Sequence, residues 1–79
     1  MNEAEIYAGL TTAFHDVFDD DDIVLSPNMA APDVSGWDSL AHIRLMLTVE
    51  RKFKLKFSAS EVANLKNVGE LVGLIQSKL

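Results

Sequence analysis

Gly36-Trp37-Asp38-Ser39-Leu40 is the stretch at which the chain changes character: an irregular segment containing Pro27 and Pro32 gives way to an apolar helical pattern that runs to Phe53. A helix opening at Ser39 sets the serine hydroxyl in its first turn. There, unsatisfied backbone N–H groups and the positive end of the macrodipole favour a neighbouring phosphate. The position therefore suits a hydroxyl that carries a phosphate-linked group. Serine and aspartate are also ordinary helix caps, so Asp38-Ser39-Leu40 alone says little. The surroundings add weight, with Gly36 expected to allow a tight approach and Trp37 to anchor the turn.

Working outward, the spacing predicts helix II over 39–53. Its expected inward face is Leu40, Ile43, Leu47 and Val49 with Met46 and Phe53 beside it, leaving Arg44, Arg51 and Lys52 to solvent. Upstream, Ile6, Leu10, Ala13, Phe14, Val17 and Phe18 form the stripe of helix I over 3–18, opened by a capping box of Asn2 and Glu5. Four aspartates from Asp19 oppose the macrodipole and end it. They lack the glycine and glutamate of a calcium-binding EF-hand loop and read as a solvated helix stop.

Residues 19–38 exceed the roughly 12–15 residues usual for a structureless connection. Ile23, Val24, Leu25, Met29, Val34 and Trp37 are expected to pin them as an ordered crossover. Downstream, Lys54 to Phe57 alternates polar and apolar but has no partner strand, so a loop with Leu55 and Phe57 inward is expected. Ser58 and Glu61 form a capping-box signature before a short helix III near Glu61–Leu65. Asn67 and Glu70 repeat it before helix IV over 68–78, with Val68, Leu71, Val72, Leu74, Ile75 and Leu79 as its stripe. Gly69 and Gly73 within that helix imply close packing or a loosely held terminus. The fold class expected is all-α: a small four-helix bundle of three main helices and one short one, with a long ordered loop between helices I and II, making one domain over 1–79.

Composition narrows the function classes. With no cysteine, disulfides, thiolate metal sites and a cysteine nucleophile are all removed, and any thiol chemistry must arrive on a cofactor. The net charge of −5 argues against nucleic acid as a partner. Its distribution is uneven: residues 1–38 hold nine acids and no Lys or Arg, whereas residues 39–79 hold all seven basic residues against three acids. No run of about 18 apolar residues and no signal segment is present, so a soluble cytoplasmic monomer without membrane insertion is expected. His15 and His42 read as exposed helix residues with no metal-ligand cluster around either. A Ser39–His42–Asp38 nucleophile system is disfavoured, because a base and its orienting group normally come from separate elements.

The run Asp38-Ser39-Leu40, with the spacing onward to Glu50, Phe53, Phe57 and Val68, resembles the modification site of the acyl carrier proteins. The similarity extends over most of the chain, including the long first loop. The resemblance implies that Ser39 carries a covalent 4'-phosphopantetheine from coenzyme A, whose thiol holds acyl intermediates as thioesters. It implies that Asp38 is read by a phosphopantetheinyl transferase near its magnesium. The chain would then be a transferase substrate and a non-catalytic carrier, visited by acyl-loading and acyl-processing enzymes of a lipid or specialised-metabolite pathway.

By the same resemblance, Met46, Phe57, Val62, Leu65, Val68 and Leu71 line a space that shelters an acyl chain. The bulk of Phe57 and Leu71 there suggests a short or polar cargo left outside the bundle. Trp37, Leu40, Arg44, Glu50 and Arg51 are the partner-recognition candidates. Arg44, Arg51 and Lys52 stand where carriers commonly show acids, so acidic partners, or partners of the aspartate-rich loop, are expected. An aminoacyl or peptidyl carrier would share arm and fold. An unmodified helical interaction module is the reading from another class.

Overall fold

The computed structural model describes residues 1–79 and contains four α-helices and no strand: α1 Glu3–Phe18, α2 Ser39–Phe53, α3 Ala59–Ala63 and α4 Val68–Lys78. A 3₁₀ turn, Ala31–Asp33, lies between α1 and α2. The core is built from three helices with four buried side chains each. Ile6, Leu10, Ala13 and Phe14 come from α1, Leu45, Met46, Val49 and Phe53 from α2, and Val68, Leu71, Val72 and Ile75 from α4. α1 is the central partner, packing on both α2 and α4. α3 buries no residue fully, although Val62 and the following Leu65 pack against the core.

The helix starts are explained by their caps. Asn2 Oδ1 accepts from the Glu5 N–H and Glu5 Oε1 from the Asn2 N–H, both at 2.9 Å. Ser58 and Glu61 are joined in the same reciprocal way at 3.1 and 2.8 Å. Because Ser58 is itself the cap, α3 begins directly after it at Ala59, two residues ahead of the expected start. At α4 only half of the expected box forms. Asn67 Oδ1 accepts from the Glu70 N–H at 2.8 Å, but the Glu70 carboxylate reaches one residue further back, to the Lys66 N–H at 2.9 Å.

The segment between α1 and α2 is fastened at α4. The Val68 N–H donates to the Met29 carbonyl and the Gly69 N–H to the Pro27 carbonyl, both at 2.9 Å. Gly69 is required by that approach, since a Cβ there would lie 3.0 Å from the Pro27 carbonyl oxygen. Within the segment Val34 is buried, and Ile23, Leu25, Met29 and Trp37 pack on the core. Val24 does not, being 81% exposed, because it points away from its flanking pair.

Three further expectations are corrected by the packing. On α2 the inward face is Leu45, Met46, Val49 and Phe53, while Leu40, Ile43 and Leu47 are exposed at 67%, 53% and 53%. Both sets recur at helical spacing, so α2 carries two apolar stripes, and the one that meets α1 is buried. His15 and His42 are half-buried rather than exposed, because each imidazole bonds a carbonyl on another part of the chain. Leu79 follows the last turn of α4 and is exposed.

Candidate functional site

Ser39 is the first residue of α2 and is exposed. The Asp38 cap accepts the Ala41 N–H through Oδ1 at 2.8 Å, and its carbonyl accepts the first helical bond from the His42 N–H at 2.9 Å. The amides of Ser39 and Leu40 consequently keep no intramolecular partner. At α4, by contrast, loop carbonyls and Asn67 consume the corresponding donors. An oxyanion attached to the Ser39 oxygen meets free N–H groups and the positive helix end.

The approach to Ser39 is made by Gly36, whose φ of +86° lies in the region that side chains disfavour. Nothing lies within 4 Å of where its Cβ would be, so glycine serves the backbone turn here, not the tight approach expected from sequence. Trp37 follows. Its ring meets Phe14 edge-on, with centroids 5.3 Å apart at 84°, and lies 6.1 Å from Phe18. This indole anchors the turn to α1.

His42, one turn along from Ser39, lies under the site. The Trp37 Nε1–H donates to its Nδ1 at 3.1 Å, and its Nε2 lies 3.0 Å from the Val62 carbonyl oxygen on α3. Both ring nitrogens are engaged, neither with Ser39, and Asp38 Oδ1 is occupied by the Ala41 amide. Ser39, His42 and Asp38 are therefore adjacent without forming a nucleophile–base–orienter relay. The spacing of three from Ser39 places His42 beside the serine in the sequence, but there it reads as an exposed helix residue, and its link from Trp37 to Val62 is missed.

An open, mainly apolar groove of about 880 Å³ runs from Asp38 and Ser39 between α2 and α3. Of the expected pocket residues, Met46, Phe57, Val62 and Leu65 line it. Val68 and Leu71 do not. They are packed in the core between α1, α2 and α4, so the bulk of Leu71 has no bearing on what the groove accepts. Ile43 and Leu47 line it instead, which accounts for their exposure.

The expected partner residues divide in the same way. Leu40, Arg44 and Arg51 are exposed, whereas Trp37 is half-buried on the core. Glu50 is held internally, with Oε2 accepting the Phe57 N–H at 2.7 Å. A second, smaller depression of about 320 Å³ holds Asp16 of α1 with Arg44, Leu47 and Arg51 of α2. Across α3, the Lys78 Nζ pairs with Glu61 Oε1 at 3.0 Å and lies 5.9 Å from the Phe57 ring centroid. The Ser58 backbone N–H, and then Lys78, hold the Glu61 carboxyl below its ordinary value.

No group of three His, Cys, Asp or Glu side chains comes together to hold a metal ion, and no helix is long and apolar enough to cross a membrane. The free amides, the exposed hydroxyl and the adjoining apolar groove fit a phosphate-linked arm with an acyl group at its end.

Comparison with known proteins agrees with that fit. Residues 8–75 match the family described as phosphopantetheine attachment site. A solution NMR structure of a holo acyl carrier protein from Geobacter metallireducens is 44% identical, with a TM-score of 0.85 over 91% of this chain and 83% of that one. No curated protein matches the chain at a significant level. The prosthetic group of the fold is covalent 4'-phosphopantetheine, and the family is one of carriers, not catalysts. On these grounds the chain belongs to the phosphopantetheine-attachment family and has the acyl carrier protein fold.

Proposed function

We propose that Ser39 is the attachment residue and that residues 1–79 act as a single acyl-carrier domain. The observation that carries this reading is the exposed Ser39 hydroxyl, beside two unpartnered amides at the mouth of an apolar groove. In the modification step the Ser39 oxygen bonds to the phosphorus of coenzyme A that bears the pantetheine. The phosphoanhydride bond breaks, adenosine 3',5'-bisphosphate leaves, and the serine proton passes to the transferase. Asp38 retains Oδ2 for the transferase's magnesium, because capping uses only Oδ1. Once attached, the arm supplies a thiol that holds acyl groups as thioesters for delivery, and tethering raises their effective concentration at each visited enzyme.

The open groove, and a core filled by buried side chains, favour an acyl chain lying along the α2–α3 surface rather than inside the bundle. Visiting enzymes would meet the exposed Leu40, Ile43 and Leu47 flanked by Arg44 and Arg51. Positive charge there suits acidic partner surfaces and a carrier dedicated to a specialised pathway. Transient contacts of this kind need only a small interface.

The test is intact mass after incubation with coenzyme A, magnesium and a broad-specificity phosphopantetheinyl transferase. One arm is expected on the wild type and none on Ser39→Ala. An unmodified wild type, or an equally modified Ser39→Ala, overturns the reading.

A further inference from the structure

The groove beside Ser39 is closed on one side by α3, and five residues are too few to form a helix unaided. Its last carbonyls lack helical partners. One of them, at Val62, is met by the His42 Nε2 at 3.0 Å. The other ring nitrogen of the same imidazole accepts from Trp37, two residues before Ser39. These two contacts fix the tautomer. An indole N–H can only donate, so Nδ1 must offer a lone pair, and a carbonyl oxygen can only accept, so Nε2 must carry the hydrogen. The rings of Trp37 and His42 also stack, 25° from parallel at a centroid separation of 6.0 Å. The neutral imidazole thus joins the turn ahead of Ser39, the first turn of α2 and the end of α3.

We propose that His42 is a positioning residue that fastens the Trp37–Ser39 turn to α3, holding the Ser39 hydroxyl at the groove mouth in the orientation from which it accepts the arm. This rests on Ser39 being the attachment residue. A proton added at Nδ1 converts the acceptor into a donor facing the indole N–H, which breaks the Trp37 link while leaving the Val62 link intact. The acids around it do not form a compensating pair. Asp38 and Glu50 line the same groove from α2 but are bonded to the Ala41 and Phe57 amides, and Glu61 on α3 is bonded to Ser58 and Lys78. From α1 the indole meets the uncharged Phe14 and Phe18 rings.

Trp37 is the only tryptophan, so its indole N–H resonance reports on this link alone. In the wild type and in His15→Gln it is expected to shift on acidification in step with the His42 ring resonances. His42→Gln offers an amide acceptor and donor in place of the two ring nitrogens and takes up no proton. It should keep a wild-type rate of arm transfer and lose the pH response. His42→Phe fills the space without either bond, and its kcat/KM in arm transfer should fall about fivefold to tenfold. Arm transfer at the wild-type rate in His42→Phe, or an indole resonance that ignores the titration of His42, overturns the proposal. The resonance measurement needs no variant and no transferase. It therefore judges the bridge even if Ser39 proves not to be the attachment residue, which the mass of Ser39→Ala decides separately.

Discussion

At the residue scale, the local demands around the site are set by backbone conformation and charge. Gly36 has a φ of +86° with open space around it, so an added methyl meets no neighbour and only the backbone resists. Gly36→Ala is expected to lose about 1 kcal/mol, the strain of a left-handed L-residue, read as a lower urea midpoint at unchanged slope. Glu61 makes a different prediction. Its carboxyl is held below the ordinary value of 4.5 by the Ser58 amide and by Lys78, so the ionised form stabilises the fold. That contribution is complete above the ordinary value and is lost as pH falls through the lowered folded value. The difference in unfolding midpoint between wild type and Glu61→Gln should therefore shrink on going from about pH 7 to about pH 3. A difference that widens in acid would contradict it.

At the scale of elements, α4 contains a direct contrast between two glycines in one helix. A Cβ on Gly73 meets nothing within 4 Å, whereas one on Gly69 meets the Pro27 carbonyl that its own amide bonds. Gly73→Ala should stabilise by about 0.5–1 kcal/mol through helix propensity. Gly69→Ala should destabilise, because a backbone oxygen cannot turn aside as a side chain can. Thermal melts of the two variants give opposite signs if the loop is fastened at the start of α4 as described. α3 is held by polar links: the Ser58–Glu61 cap at its start, Lys78 across to α4, and His42 at its end. Helix starts were legible from sequence because caps are local. The start of α3 was misplaced only because the box was read from Glu61 rather than from the residue after Ser58.

Across the whole molecule, which side of α2 is buried decides both the core and the proposed docking surface. Leu45→Ala should cost about 2–5 kcal/mol, as a fully buried leucine does, whereas Leu47→Ala should barely move the unfolding midpoint. The same two variants should exchange roles in partner assays, with Leu47→Ala weakening transfer to visiting enzymes. Equal losses of stability would overturn the assignment of faces. By itself the amino-acid order determined what depends on neighbours along the chain. It set four helices and their caps, the break at the aspartates, the absence of thiol side chains, and a serine at a helix start followed by the spacing of the acyl carriers. It could not choose between Leu40-Ile43-Leu47 and Leu45-Val49-Phe53, because both recur at helical spacing and periodicity has no knowledge of where α1 lies. Nor could it show that His42 bridges Trp37 and Val62, that Glu50 is bonded to Phe57, or that Val68 and Leu71 turn from the groove. Those facts arise only when α1, α2 and α4 share one core and α3 is tied across its edge, since contacts between distant residues are fixed by packing in three dimensions.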